Sequence, residues 1–143
     1  MDRQDVIKWL DSYVKLNAER EGILALIAEL EEDRAGSQLR SPQLDGMPHS
    51  GRISDPTATS AARFAALLER YEEKAAALYD RMREIEDAIG DVENSAQRDM
   101  LRAHYLRGLK WENVAELKSY SVSRCTQLAA DGITALCEVY ADE

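Results

Sequence analysis

The chain of 143 residues contains few of the residues from which β-sheets and glycine-rich nucleotide sites are built. Aromatic residues make up only 6%, and the sequence has 7 glycines and 3 prolines. Alanine, leucine, glutamate and arginine dominate, and β-branched residues are scarce, which is typical of helical proteins. The composition therefore excludes sandwiches, barrels and most α/β enzymes with phosphate loops, and it predicts an all-α fold.

The sequence also lacks segments for export or membrane insertion. No run of about 18 apolar residues occurs, and the N-terminus has no secretory signal pattern, so we expect a cytoplasmic protein with no membrane contact. The two cysteines, Cys125 and Cys137, fall in one predicted helix twelve residues apart. A helix cannot bring such a pair into disulfide geometry, which predicts two reduced thiols.

Positive charge is in the minority. The formal net charge is -9 and the pI is about 4.8, which argues against indiscriminate binding to nucleic acid or membrane surfaces. Most of the excess acidity lies in residues 1–93, whereas residues 94–143 are nearly neutral. This split predicts two domains with that boundary, and any DNA binding by the second should be weak from one copy and sensitive to salt.

Residues 1–93 have the pattern of a long helical hairpin. A first helix is predicted from about Arg3 to Arg34, fraying at Asp33 because acidic side chains are unfavourable at a helix C-terminus, and Gly36 should end it. A glycine- and proline-rich loop is predicted over 35–55, long enough to be either functional or mobile. One face of the first helix carries, at helical spacing, Val6, Leu10, Tyr13, Asn17, Leu24 and Ile27. Ile7, Val14 and Leu30 widen this apolar stripe, and Asn17 and Glu21 interrupt it near its middle.

The second helix has the most regular pattern of the sequence. Asp55-Pro56 predicts its start, with aspartate as N-cap and proline at the first helical position. An unbroken heptad seam follows: Phe64, Leu68, Tyr71, Ala75, Leu78, Met82, Ile85 and Ile89. We expect the two helices to pack as an antiparallel coiled-coil hairpin, and a second copy to add another hairpin. The candidate oligomerisation residues are Phe64, Leu68, Tyr71, Leu78, Met82 and Ile85.

The order of helix and turn signals in residues 94–143 predicts a helix-turn-helix. Asn94 is the expected cap of a helix over Ser95 to Arg107, and Gly108 should end it in a left-handed conformation. A short helix over Trp111 to Lys118, a turn at 119–121 with Ser121 as N-cap, and a last helix over Val122 to Tyr140 complete the unit. The expected core consists of Leu101, Tyr105, Trp111, Val114, Ala115, Tyr120, Cys125, Leu128, Ile133 and Leu136.

Two segments carry a family resemblance. LRAHYLRGLKWENVA, residues 101–115, followed by Tyr120-Ser121, resembles the region 4 helix-turn-helix of bacterial sigma factors, and is more similar to phage and prophage regulators of the ArpU and RinA type. DGMPHSG, residues 45–51, followed by Ser54-Asp55-Pro56, is similar to a loop in small phage proteins with the same tail. The resemblance implies control of phage transcription in a bacterial host cell, with promoter DNA and the host RNA polymerase as partners and a homodimer as the expected assembly.

The helix-turn-helix interpretation supplies candidate DNA contacts. At the start of a recognition helix, arginine suits guanine, glutamine suits adenine, and hydroxyls suit bases or phosphates. The candidates there are Ser121, Ser123, Arg124, Thr126 and Gln127. Candidates for phosphate contacts are Lys110, Lys118, Arg102 and Arg107. Arg124 is the only basic residue of the last helix, and Lys118 and Ser119 stand where related units carry an apolar residue and glycine.

Three other interpretations remain open. The helix-turn-helix could serve only as a packing or protein-docking module. The chain could be a packaging component such as a small terminase subunit, or an interaction protein that binds a host factor through the acidic hairpin.

His49 and His104 lack partners at metal-ligand spacing, and no nucleotide loop or nucleophile–base pair is identifiable. We therefore expect no enzyme, no metal and no cofactor, and the sequence assigns no role to Met47-Pro48.

Overall fold

The computed structural model describes the backbone of residues 2–40 and 54–140 and the side chains of residues 2–34 and 59–140. The fold is all-α. Two long helices, α1 (Arg3–Arg40) and α2 (Ser54–Gly90), form an antiparallel hairpin, and shorter C-terminal helices pack together after it. These are α3 (Ser95–Leu101), which continues into a π-helical turn at Arg102–Leu106, then α4 (Trp111–Lys118) and α5 (Val122–Tyr140).

The hairpin helices are longer than predicted. Helix α1 continues to Arg40, so the predicted end at Gly36 is wrong. A glycine inside a helix costs only about 1 kcal/mol relative to alanine, and Pro42 disfavours helix for the residue that precedes it. Helix α2 begins at Ser54, so Asp55 lies inside the helix and not at the N-cap position predicted for it. Residues 41–53, the remainder of the predicted loop and the site of the Met-Pro motif, lie outside the described residues.

The predictions for the C-terminal helices are confirmed except at one point. Helices α4 and α5 have the predicted bounds, and Gly108 is left-handed with φ of 72°. The third helix, however, does not run uniformly to Arg107, because it widens into the π-helical turn. There the amide of Arg107 donates to the carbonyl of Arg102 at 3.0 Å, five residues back. Such turns are rare within helices and occur often at functional sites.

The chain separates into two compact units. The first unit comprises Met1–Ala18 and Tyr79–Glu143, and the second comprises Glu19–Leu78. The boundary predicted at residue 93 therefore lies inside the first unit. The reason is that the first turns of α1 and the last turns of α2 supply part of the core on which α3 to α5 pack. Their side chains in this core are Val6, Leu10, Tyr13, Met82, Ile85, Ala88 and Ile89.

The core of the first unit includes the expected side chains of the helix-turn-helix. Leu101, Tyr105, Val114, Ala115, Cys125, Ile133 and Leu136 are buried, and Trp111, Tyr120 and Leu128 pack against them partly buried. Sequence reasoning missed Met100, Ala103 and Ala129. The apolar stripe of α1 is narrower than predicted, since Val14 and Leu24 are exposed.

The second unit has less interior. Among its described residues only Ala75 is buried, while Ile23, Ile27, Phe64, Leu68, Tyr71 and Leu78 are half-buried. The guanidinium of Arg34 lies 5.6 Å from the centre of the Phe64 ring. Two helices alone bury one narrow stripe each, which explains why the heptad seam here is covered only in part.

Candidate nucleic-acid interface

Helices α4 and α5 are joined by a tight turn whose conformation depends on one residue. Ser119 is left-handed, with φ of 61° and ψ of 37°, and its amide donates to the carbonyl of Ala115. The amide of Tyr120 donates to the same carbonyl at 3.0 Å. A left-handed residue after a helix is usually glycine, so serine occupies this position at a steric cost. The turn thus changes the direction of the chain within three residues, and α5 begins directly after it.

Packing beneath the turn fixes the two helices against each other. Val114 and Cys125 are fully buried, and Ala115 is buried where α4 meets the turn. The absence of a long side chain at Ala115 lets the helices approach closely. The arrangement is a helix-turn-helix, in which the start of the second helix is held outward on a packed support.

The start of α5 is capped as the sequence predicts. The hydroxyl oxygen of Ser121 accepts a hydrogen bond from the amide of Arg124 at 3.1 Å, and the hydroxyl of Thr126 donates to the carbonyl of Ser123 at 3.0 Å. Ser123, Arg124 and Gln127 are exposed on the first two turns of the helix. These side chains are therefore placed where an external polar surface would meet them.

Arg124 also contacts the aromatic residue of the turn. Its guanidinium carbon lies 5.0 Å from the centre of the Tyr120 ring, a distance at which a cation and an aromatic face attract. The contact restricts the side chain while leaving it exposed. An arginine held in this way loses less conformational freedom when it binds a planar acceptor such as guanine.

The four predicted phosphate contacts are all exposed. Lys118 ends α4, Lys110 precedes it, and Arg102 and Arg107 belong to or follow the π-helical turn. The ammonium of Lys118 lies 4.0 Å from a carboxylate oxygen of Asp99. Since exposed ion pairs contribute little stability, Lys118 can exchange this partner for a phosphate at small cost.

An aromatic stack fixes the start of α4. The rings of His104 and Trp111 lie 3.9 Å apart between centroids and 14° from parallel, and Nδ1 of His104 donates to the carbonyl of Leu109 at 2.8 Å. The stack joins the π-helical turn to the first residue of α4, and the hydrogen bond joins it to the segment just before α4. The turn therefore positions Lys110 and the helix behind it, a role that the sequence analysis did not assign to His104.

Sequence reasoning also missed two apolar side chains at the turn. Leu117 near the end of α4 is 61% exposed, and Val122 at the start of α5 is 41% exposed. Their positions flanking the turn follow from the sequence, whereas the predicted contacts at the turn are all polar. An apolar side chain at the start of a recognition helix suits the methyl group of thymine.

The predicted oligomerisation residues divide between the two units. Phe64, Leu68, Tyr71 and Leu78 are half-buried in the second unit, so part of each remains open to a partner. Met82 and Ile85 are buried in the core of the first unit, 4% and 0% exposed. These two side chains stabilise the single chain rather than face a second copy.

Within the described part of the chain, no three His, Cys, Asp or Glu residues are grouped so that they could hold a metal ion. Both cysteines are free, with Cys125 buried. His49 lies outside the described residues. No helix in the described ranges is long and apolar enough to cross a membrane.

Comparison with known proteins supplies no relative. No protein-family model matches the chain, and no curated protein or solved structure matches it.

Proposed function

We propose that this protein is a DNA-binding transcriptional regulator of phage type, with a sigma-factor-like helix-turn-helix that acts at promoters. The observation that carries the proposal is the turn at Ser119, which holds α5 on a packed support with Ser123, Arg124 and Gln127 exposed at its start. In this proposal Arg124 and Gln127 read base edges, while Lys110 and Lys118 contact phosphates. The resemblance of residues 101–121 to sigma-factor region 4 makes the bacterial RNA polymerase a proposed partner.

The charge of the chain implies that one copy binds weakly. Arg124 is the only basic residue of α5, and the whole chain has a net charge of -9. Sequence-independent affinity for DNA depends mainly on the number of phosphates that Lys and Arg neutralise. Pairing two copies on two half-sites, or docking on a polymerase, would supply the affinity that a single module lacks.

The second unit supports a homodimer as the form that binds. Its apolar side chains are half-buried, and the exposed Leu24 and Leu26 add to the apolar surface of α1. A pair of hairpins that packed as four helices would bury these side chains in a common core. Sedimentation at several protein concentrations tests this step: a dimer agrees with the regulator, while a ring of about eight or more copies would indicate a packaging subunit.

DNA titration tests the proposal itself. Labelled DNA from upstream of the neighbouring genes is titrated with the full chain at about 50 and 200 mM salt. Arg124→Ala and Gln127→Ala should each weaken binding by about tenfold, since one good base contact contributes roughly 1–3 kcal/mol. Arg83→Ala, an equal charge change at an exposed position of α2, is the matched control and should leave binding nearly unchanged.

A substitution at the cap separates stability from recognition. Ser121→Asp retains a side-chain acceptor for the amide of Arg124, so the stability of α5 should be preserved. The added carboxylate should nevertheless repel phosphates and weaken DNA binding by about tenfold or more. Unchanged binding by Ser121→Asp, Arg124→Ala and Gln127→Ala would exclude the start of α5 as the DNA-reading element.

A further inference from the structure

A groove lies in the first unit away from the helix-turn-helix turn. It has a volume of about 490 Å³ and is lined by the end of α2, the segment that leads into α3, and the last turns of α5. None of the candidate DNA contacts lines it. Its volume is in the range of roughly 300–1,000 Å³ that is usual for binding clefts.

The floor of the groove is apolar. Ala88, Val92 and Leu136 form part of it and are nearly inaccessible, with exposed fractions of 2–4%. Val139, on the last turn of α5, stands at its side and is 63% exposed. A valine this exposed beside an apolar floor offers contact area that nothing in the described part of the chain covers.

The rim of the groove is acidic. Asp91, Glu93 and Glu138 are exposed and belong to its lining, and no Lys, Arg or His is among the described residues that form it. An occupant that combines positive charge with an apolar group therefore complements both the acidic rim and the apolar floor.

We propose that this groove binds a basic peptide segment of another protein, in which an apolar side chain of leucine size is flanked by Lys or Arg. The apolar side chain contacts Val139 and the floor, and the flanking cations lie beside Glu93 and Glu138. Nucleic acid is excluded as the occupant because the same carboxylates repel phosphates. The C-terminal residues 141–143 are a poor occupant for the same reason, since they are acidic.

The groove gives the protein a second binding surface. It favours positively charged partners, whereas the start of α5 favours the negative charge of DNA. The start of α5 carries an arginine suited to DNA, while the groove selects a cationic protein segment. Peptide binding in the groove would leave Ser123, Arg124 and Gln127 at the start of α5 free, so both partners could be bound together. The inference does not depend on DNA binding, because no residue is shared between the two surfaces.

Peptide titration tests this inference. The probe is a fluorescein-labelled peptide of sequence Arg-Lys-Leu-Leu-Lys-Arg, whose anisotropy is followed as the full chain is added. The matched peptide carries serine in place of both leucines. We expect the leucine peptide to bind about tenfold more tightly, as the loss of burial of one or two apolar side chains implies.

Protein variants locate the site. Glu93→Gln combined with Glu138→Gln should weaken the leucine peptide by about tenfold, and Val139→Ser by about fivefold. All three positions are exposed, so the variants should fold, which thermal unfolding checks. The control is Glu72→Gln with Glu73→Gln, the same charge change on exposed residues of α2 in the second unit, which should have little effect.

Three results would overturn the inference. The first is no measurable binding of the leucine peptide. The second is equal binding of the serine peptide, which would mean charge attraction alone. The third is equal weakening by the Glu72 and Glu73 pair, which would mean that the peptide binds the acidic chain without a site. Each of these results leaves the proposal for α5 to its own test.

Discussion

Gly132 of α5 lies directly against Leu101 of α3. A Cβ atom added to the glycine would stand 2.9 Å from Cδ1 and 3.3 Å from Cγ of Leu101, and 3.4 Å from Cβ of Gln97. Leu101 is fully buried and cannot move aside freely. The missing side chain at position 132 therefore sets how closely α5 packs on α3.

Replacement of Gly132 by alanine should destabilise the protein. The new methyl group would overpack the contact with Leu101, which costs about 1–3 kcal/mol, and the higher helix propensity of alanine offsets up to about 1 kcal/mol of this. We expect a net loss of about 1–2 kcal/mol in the free energy of unfolding, measured by urea denaturation and circular dichroism. Gly22→Ala is the matched control, because a Cβ at that helical position meets nothing within 4 Å. It should stabilise α1 by about 0.5–1 kcal/mol. A change of the same sign in the free energy of unfolding for both substitutions would contradict the close approach of Gly132 to Leu101.

Replacement of Ser119 by glycine should stabilise the helix-turn-helix. Serine at φ of 61° bears a steric cost of about 1–2 kcal/mol that glycine does not. Part of the gain is lost to the greater freedom of glycine in the unfolded chain, so we expect roughly 0.5–1 kcal/mol. Ser123→Gly, on the exposed face of α5, should destabilise by about 0.5 kcal/mol. Thermal unfolding of the two variants decides the point, and a loss of stability in Ser119→Gly would mean that the turn is not left-handed.

Truncation of Leu10 should disrupt the C-terminal helices even though it lies far from them in sequence. Leu10 is 0% exposed in the core that holds α3 to α5, and Leu→Ala at such sites costs about 2–5 kcal/mol. Leu26→Ala, at a side chain 41% exposed, should cost under about 1 kcal/mol. Amide hydrogen exchange in α5 measures the effect where it is expected. Protection in α5 that is unchanged by Leu10→Ala would show that residues 94–143 fold independently of α1.

The free energy of unfolding should decrease in alkaline solution because of the ionisation of Tyr105. Burial raises the pKa of Tyr105 above its ordinary value of 10.0, the carboxylate of Asp11 raises it further, and Arg3 partly opposes them. As the pH rises above about 10, the unfolded chain releases a proton that the folded chain retains, so the free energy of unfolding decreases. Tyr105→Phe should show a shallower decrease in urea midpoints between about pH 9 and 11. The same dependence of the urea midpoint on pH in the natural protein and in Tyr105→Phe would contradict the raised pKa of Tyr105.

The parts of the fold that follow from local chemistry were predictable from the sequence. Asn94 and Ser121 cap α3 and α5 as expected, and Ser119 to Ser121 form the turn between two helices whose bounds were predicted correctly. The end of α1 was not predictable in this way, because the cost of Gly36 is small beside the propensity of the residues around it. The π-helical turn at Arg102–Leu106 has no signature in residue type, since it depends on how α3 packs.

The candidate site was predictable only in outline. The polar residues at the start of α5 were identified by position, and the structure places Ser123, Arg124 and Gln127 on the exposed face. The exposure of Leu117 and Val122 depends on which face of each helix meets the core, which spacing alone does not settle. The heptad seam of α2 also has two roles that periodicity cannot separate, since Ile85 is buried in the first unit and Leu68 is half-exposed in the second.

Selection of binding sites from random DNA is the decisive measurement of whether the start of α5 recognises a DNA sequence. The full chain is mixed with random duplexes of about 30 base pairs, long enough for two half-sites one helical turn apart, and bound DNA is sequenced over several rounds. We expect the natural protein and Arg83→Ala to enrich one common motif, and the double variant Arg124→Ala with Gln127→Ala to lose it. No enrichment by the natural protein, or the same motif from the double variant, would contradict recognition of DNA by α5.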